Sequence, residues 1–212
     1  MPEHRQAFQR ELDAIDAKVI ELFDLVAADL ARATPALPTG NNEVVKLLAE
    51  HRLVIDLLCS EIEKLVKTAI LLQAPVASDL RLLISVLRVV PELERSHDLI
   101  VNIARRGNIV LSQDISARSR GLIEHMGGLA SEMWREAADC WCERDRSAAA
   151  ALGERDDEMD ELYASLMAEL ASGEMTLPVT MQLTLVARFY ERLADHAVNI
   201  ARRVIYLAGR AR

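Results

Sequence analysis

Hydrophobic residues recur every three or four positions along almost the whole chain. In the first segment, Ile15, Val19, Leu22, Val26 and Leu30 follow this spacing, with charged residues between them. The spacing is typical of an amphipathic α-helix that buries one face. The same pattern predicts six helices, at residues 4–33, 42–73, 78–107, 113–144, 146–172 and 178–209.

Proline, glycine and capping residues mark the expected ends of these helices. The segment 34–42 contains two prolines and a glycine, and it separates the first two helices. Pro75 should end the second helix because it restricts the residue before it. Ser78 or Asp79 can cap the third helix, and Gly107 is expected to end it.

An internal repeat groups the six helices into two sets of three. The segments ERSHDLIVNIARR (94–106) and ERLADHAVNIARR (191–203) are identical at nine of thirteen positions, at a constant offset of 97. Each copy lies late in the third helix of its set, so the repeating unit is three helices. We therefore predict an all-α fold of two tandem, pseudo-symmetric three-helix bundles of long antiparallel helices, comprising residues 1–108 and 109–212.

Composition and charge narrow the class of protein further. Of the 212 residues, 51% are hydrophobic and only 8 are glycine and 6 proline, as expected for a helical globular protein. The net charge of −8 argues against a general nucleic-acid-binding protein, which needs a basic surface. It suits a protein that collects cations.

The cysteines and the apolar segments bear on the compartment. Cys59, Cys140 and Cys142 are odd in number and form no CxxC motif, so we expect no disulfide framework and a reducing environment. The N-terminal segment lacks the apolar core of a signal peptide, and no run of 18 apolar residues occurs. We expect a cytoplasmic protein.

The repeated helix carries a polar stripe of two carboxylates and one amide. The stripe consists of Glu94, Asp98 and Asn102 in the first copy and of Glu191, Asp195 and Asn199 in the second. A spacing of four residues places each set on one helix face, where two like charges destabilise a helix by about 0.2–0.5 kcal/mol. Either a nearby arginine or a bound cation would offset this repulsion. Oxygen ligands favour hard or borderline metals such as magnesium, manganese or iron.

The helix before each stripe decides how complete a metal site would be. In the second set, the fifth helix offers Asp156 with Asp160 and Asp157 with Glu161, each pair four residues apart. Packing of this helix against the sixth would bring four carboxylates together, a strongly repulsive cluster without a metal. In the first set, the second helix has Glu50-His51-Arg52 and then Asp56, where the parallel would require two carboxylates. Arg52 could neutralise the stripe without metal.

Three further features leave alternatives open. Glu94 and His97 form an ExxH motif, but the second copy has Ala194 in place of the histidine, which argues against a ferritin-like di-iron enzyme. His196 lies off the stripe, and we expect a packing or polar-contact role for it. The arginine pairs at 105–106 and 202–203 leave an anion-binding or acidic-partner role open.

Taken together, these motifs resemble the PhoU family of bacterial regulators of phosphate transport. The resemblance covers essentially the whole chain. Its strongest parts are QAPVASDLR (73–81), ELERSHDLIVNIAR (92–105), RDDEMDELY (155–163) and YERLADHAVNIARR (190–203). The chain departs from the family in two places. Arg52 and Asp56 stand where the family has an acidic pair, and His97 stands where the family often has a glycine.

The resemblance implies a metal-binding, non-catalytic regulator. It implies multinuclear iron or other divalent or trivalent metal ions, such as manganese, zinc or magnesium, in each half. Carried over by position, the first ligand set is Glu94, Asp98 and Asn102, with Asp56 opposite. The second is Glu191, Asp195 and Asn199, facing Asp156 and Asp160, and we expect this second site to be the stronger.

The resemblance also implies partners and a location. Such proteins are thought to link a phosphate ABC transporter to a sensor histidine kinase, and to hold phosphate-starvation signalling off when phosphate is plentiful. The protein would then lie at the inner face of the plasma membrane through its partners, and its long amphipathic faces are compatible with a homodimer. Three other hypotheses stay open. The protein could be a structural helical adaptor without functional metal, a regulator of a low-affinity phosphate transporter, or a multinuclear metalloenzyme acting on phosphate compounds. The sequence offers no general base outside the presumed ligands, which argues against the enzyme.

Overall fold

Six long α-helices form the protein. The computed structural model describes residues 2–110, 115–173 and 175–209. The helices are α1 (Pro2–Ala36), α2 (Asn42–Gln73), α3 (Ala77–Val110), α4 (Ala117–Glu143), α5 (Arg146–Ala171) and α6 (Leu177–Ala208). A short 3₁₀ turn, Leu37–Thr39, follows α1. The prediction of an all-α fold with six helices is confirmed, and the described residues contain no strand.

The first helix continues past its predicted end, through Pro35 to Ala36. The extra turn is held by burial, because Ala33 and Leu37 lie in the core. Gly40 then takes a left-handed conformation with a φ of 60°. Its N–H donates to the Ala36 carbonyl at 2.9 Å and closes the helix end.

The third helix does not end at Gly107, so that prediction is wrong. The helix runs on to Val110, and Gly107 lies against the turn that follows α1. A Cβ at this position would come within 2.8 Å of the Leu37 carbonyl oxygen and 3.2 Å of the Gly40 Cα. The glycine therefore permits a close approach of two backbones.

The starts of α3 and α4 also differ from prediction. Ser78 and Asp79, the expected caps, lie inside the first turn of α3, which begins at Ala77. The fourth helix begins at Ala117 instead of 113, where the Ser116 hydroxyl accepts a hydrogen bond from the Ser119 N–H at 3.0 Å. The predicted start at 113 lies outside the described residues.

The buried side chains of all six helices form one continuous hydrophobic core. In the first set α1, α2 and α3 contact one another, and in the second set α4, α5 and α6 do the same. The second set contributes the largest fully buried side chains, which are Trp134, Trp141 and Tyr190. The Trp134 indole N–H finds a partner in the Leu193 carbonyl at 2.9 Å.

The two bundles join through α3 against α6 and α1 against α4. The Arg106 guanidinium lies 4.7 Å from the centre of the Phe189 ring, whereas Glu92 lines a cleft with Arg203. The offset of 97 makes Arg203 equivalent to Arg106 and Phe189 equivalent to Glu92. The two junctions are therefore related by an approximate twofold rotation, and α3 and α6 run antiparallel. No helix in the described parts of the chain is long and apolar enough to cross a membrane.

Candidate metal sites on the repeated helix

In the second bundle, the predicted carboxylates lie on two helices that pack against each other. Glu191 and Asp195 lie on α6, and α5 packs against α6 with Asp156 and Asp160. Burial raises the pKa of Glu191 above its ordinary value of 4.5, Arg188 opposes this, and the negative charges of the three aspartates raise it further. The carboxylates are thus close enough to repel one another.

Asp156 occupies the same electrostatic environment. Burial raises its pKa most, and the charges of Asp195 and Asp160 add to the effect. Arg202 lowers the pKa, so this guanidinium faces the cluster from α6. A raised pKa in a carboxylate means that the charged form is disfavoured in the folded protein.

Glu191 has one oxygen without a partner. The Arg188 guanidinium donates to its Oε1 at 2.6 Å, but Oε2 is buried and has no hydrogen bond within the described residues. Its side chain is only 15% exposed. Such an orphaned acceptor is unusual in a folded protein and is what a missing ligand to the carboxylate would leave.

The remaining members of the second set are more open. Asp160 and Asp195 are exposed, and the Asn199 side-chain oxygen accepts a hydrogen bond from Arg202 at 3.1 Å. Across the residues described, no three His, Cys, Asp or Glu side chains converge closely enough to hold a metal ion. The donor chemistry and the surplus charge suit a cation, and the side chains would have to rotate inward to share one.

The first stripe is engaged by an arginine. Arg52 reaches across from α2 to Asp98, with an N–O distance of 2.5 Å, and approaches Asp56 at 3.9 Å. The Asn102 amide donates to the carbonyl of Asp98 on its own helix at 2.9 Å. The predicted ligands Asp56, Asp98 and Asn102 are therefore already paired in the first bundle.

Glu94, the remaining carboxylate of the first stripe, contributes to the electrostatic environment of Cys59 on α2. Burial raises the pKa of Cys59 to about 12, and the charges of Glu94, Asp56 and Glu63 contribute. Glu63, which was not among the predicted residues, lies one heptad after Asp56 and forms an ion pair with Lys67 at 2.8 Å. That seven-residue spacing is the signal in the sequence that could have identified it.

His51 and His97 have structural roles in the first bundle. His97 is buried and its Nε2 lies 3.1 Å from Asp29, which also contacts His51 at 2.8 Å and Arg32 at 3.2 Å. Asp29 is fully buried and ties the three helices of the first bundle together. The sequence did carry a signal, because Asp29 interrupts the apolar face of α1.

The polar contact expected for His196 is confirmed. Its Nδ1 lies 2.7 Å from the Ser96 hydroxyl of α3, and its Nε2 lies 3.5 Å from Glu92. Burial lowers the pKa of His196, and Arg192 and Arg95 add to this against the opposing charge of Glu92. His196 therefore lies at the junction of the bundles and not in the acidic cluster.

Sequence comparison finds relatives along the full length of the chain. The PhoU domain matches residues 19–107 and 123–204. The chain is 31% identical over 211 residues to "Phosphate-specific transport system accessory protein PhoU homolog 2" of Mycobacterium tuberculosis, covering 96% of this chain and 97% of that protein. It is 33% identical over 207 residues to the PhoU homolog of Zymomonas mobilis, covering 96% and 87% respectively.

Solved structures of the same architecture are known. The chain superposes on the crystal structure of PhoU from Pseudomonas aeruginosa with a TM-score of 0.88, at 28% identity, covering 94% of this chain and 98% of that one. A phosphate transport system regulatory protein from Streptococcus pneumoniae matches with a TM-score of 0.87 at 25% identity, covering 95% and 97%. Both similarities extend over both bundles.

Proposed function

The chain belongs to the PhoU family, and from that premise we propose that it is a non-catalytic accessory regulator of a phosphate-specific transport system. Its relatives carry that description, and the similarity extends over nearly the whole length of each of them. Two rigid bundles joined along their length suit a scaffold that presents surfaces to partners. No turnover step is part of this proposal.

The proposal includes a metal site in the second bundle. Glu191, Asp195, Asp156 and Asp160 would hold a divalent or trivalent ion such as iron, manganese, zinc or magnesium, with Asn199 beside them. The observation that carries this proposal is the buried, unpartnered Oε2 of Glu191 within a group of mutually repelling carboxylates. A bound cation would supply the positive charge that relieves this repulsion and would fix α5 against α6.

The first bundle would bind metal weakly or not at all. Arg52 already provides Asp98 with the positive charge that a bound cation would bring. The two halves would then have diverged, with one stripe paired internally and the other open to a cation. The substitution of an arginine for an acidic ligand is thus the feature that separates the two sites.

The regulatory part of the proposal concerns partners and location. We propose that the protein links a phosphate ABC transporter to a membrane sensor histidine kinase at the inner face of the plasma membrane. Homodimerisation would add a second copy of each surface. The relatives are named for a phosphate transport system, which supports the transporter part of this proposal.

The experiment is a metal analysis of protein purified without chelator and without an affinity metal. Wild type is compared with Glu191→Gln/Asp195→Asn and with the matched first-bundle variant Glu94→Gln/Asp98→Asn. We expect more than one equivalent of metal in wild type, a loss in the Glu191/Asp195 variant and little change in the other. Arg52→Gln should increase metal uptake, because it frees the first stripe.

The pH dependence of binding gives a second readout. Protons and metal compete for the carboxylates of Asp156 and Glu191, whose pKa values are raised above the ordinary 3.8 and 4.5. Metal affinity should therefore increase as the pH rises through these raised pKa values. Absence of metal in wild type after incubation with iron, manganese or zinc would contradict the metal site. The alternative of a structural adaptor without metal, favoured by the Arg52–Asp98 and Arg188–Glu191 contacts, would then stand.

A further inference from the structure

We propose that the cleft between α3 and α6 binds a phosphate-type oxyanion through Arg88 and Arg203. The cleft has a volume of about 240 Å³ and is lined by Arg88, Glu92, Asn199, Arg202 and Arg203, with Val89 and Ile200. It lies at the junction of the two bundles. The proposal concerns a different ligand class from the metal site and does not depend on it.

The charges in the cleft are out of balance. Three arginines and one carboxylate, Glu92, line the cleft. Arg95 contacts Oε1 of Glu92 at 2.9 Å, whereas Oε2 is buried and has no hydrogen bond among the described residues. Of the arginines, Arg202 donates to Asn199 at 3.1 Å. Positive charge is therefore concentrated in one cleft of a chain whose net charge is −8. The lining is mostly polar, with Val89 and Ile200 as its apolar part, and a concave surface lined mainly by one sign of charge attracts counter-ions.

Within the described part of the chain, no counter-ion contacts either of the two proposed anion ligands. Neither Arg88 nor Arg203 makes a hydrogen bond or ion pair with any residue that the structure describes. Other arginines of the same protein do find carboxylates, such as Arg144, which donates to Asp16 at 2.6 Å. A planar guanidinium offers several donors in a fork that matches two oxygens of an oxyanion.

The pseudo-symmetric junction shows that the cleft is not a general property of the repeat. There Leu185 stands in the place of Arg88 and Phe189 in the place of Glu92. The Phe189 ring covers Arg106, the equivalent of Arg203, at 4.7 Å. One junction is thus closed by a cation–π contact, and the other is open and basic.

The cleft can admit a small anion together with bound water. Its volume of about 240 Å³ is several times the roughly 30 Å³ that one water molecule takes in the liquid, so the arginine donors and not the size point to the ligand. A single phosphate group, free in solution or at the head of an anionic lipid, fits within this volume and matches the arginine donors. The two sources share one chemistry and are separated by the test.

The test titrates inorganic phosphate into the full-length protein by calorimetry with a chelator present, so that metal-bridged phosphate does not contribute. We expect saturable binding that weakens about tenfold or more in Arg88→Gln and in Arg203→Gln. Arg105→Gln is the matched control, because Arg105 is equivalent to Arg202, is exposed and does not line the cleft. It should leave the affinity unchanged.

A variant with increased affinity is a useful control, because misfolding would weaken phosphate binding and could not tighten it. Glu92→Gln removes the only negative charge that lines the cleft and should tighten phosphate binding several-fold. A parallel sedimentation assay compares vesicles of phosphatidylglycerol with vesicles of phosphatidylcholine. Vesicle binding that depends on Arg88 and Arg203, without binding of free phosphate, would assign the site to a lipid headgroup.

Two results would overturn the proposal. One is the absence of saturable binding to both inorganic phosphate and anionic vesicles. The other is an equal loss of binding in Arg105→Gln, which would reduce the effect to overall charge. Metal content measured in the same variants keeps this outcome separate from the fate of the metal site.

Discussion

Carboxyl groups in this protein meet three different environments. Burial tends to raise the pKa of Asp29, but hydrogen bonds and charge from His97 and His51 outweigh it and the pKa is lowered. The pKa of Glu191 is raised by burial and by three neighbouring aspartates. Asp98 is held by Arg52. Glu191 combines this raised pKa with a buried oxygen that has no hydrogen bond among the described residues. Glu92 also has such an oxygen, but it lies in the cleft at the junction of the bundles, so the candidate metal chemistry concentrates at Glu191.

The substitution Asp29→Asn should lower the free energy of unfolding by about 2 kcal/mol, because it weakens charged hydrogen bonds to buried partners. The lowered pKa means that the unfolded chain binds the proton more tightly than the folded one. The stabilisation by the Asp29 carboxylate is therefore complete above 3.8 and is lost as the pH falls through the folded-state value. Urea denaturation at pH 7 and near pH 3 measures both effects.

The control for this prediction lies on the same helix. Asp13 is exposed and accepts a hydrogen bond from Gln9 alone, so Asp13→Asn should change the stability little. An equal loss of stability in both variants would contradict the role given to Asp29. So would a difference between wild type and Asp29→Asn that is unchanged at the lower pH.

At the scale of the helix, packing decides where each element ends. The hydrophobic period places all six helices, but it does not show which glycine ends a helix and which lies against a neighbour. Gly107 continues α3 because Leu37 and Gly40 pack against its backbone. At Gly153 of α5, in contrast, an added Cβ would have no neighbouring atom within 4 Å among the described residues.

These two glycines give opposite predictions for the same substitution. Gly107→Ala should destabilise the protein by about 1–3 kcal/mol, because the new methyl group would overlap the Leu37 carbonyl. Gly153→Ala should stabilise it by up to about 1 kcal/mol, because alanine favours the helix and nothing obstructs it. Thermal and urea unfolding of the two variants check the pair, and a shift of the same sign in both would contradict the packing argument.

At the scale of the whole molecule, the two bundles share side chains across their junction. The Asp16 carboxylate of α1 accepts hydrogen bonds from the Trp141 indole at 3.0 Å and from Arg144 at 2.6 Å, both from α4 or its end. The Tyr190 ring lies against Thr34 and would meet a Cβ placed at Gly127. The junction is therefore part of the core and not a flexible hinge between separate domains.

We expect the two bundles to unfold together in one calorimetric transition. Asp16→Asn should lower the midpoint of that transition by about 3 °C, because two donors from the second bundle lose a charged acceptor. Glu21→Gln, at an exposed position of the same helix, is the control and should leave the midpoint unchanged. Two separate transitions in wild type would show that each bundle folds alone.

Much of this protein follows from its sequence. The helical period, the 97-residue repeat and the acidic stripes are properties of residue order, because a side chain's place on a helix face depends only on its spacing. They predicted the all-α fold, the carboxylates on α5 and α6 and the neutralising role of Arg52. The family resemblance rested on the same residues.

Only the tertiary structure decided the features that depend on distant partners. It placed Asp29 between two histidines, made Gly107 a packing residue and left Arg88 and Arg203 together in an open cleft while Phe189 covered Arg106. Spacing along one helix carries no information on which residue of another helix lies opposite. The antiparallel contact of α3 with α6 supplies that information, and the difference between the two pseudo-symmetric junctions follows from it.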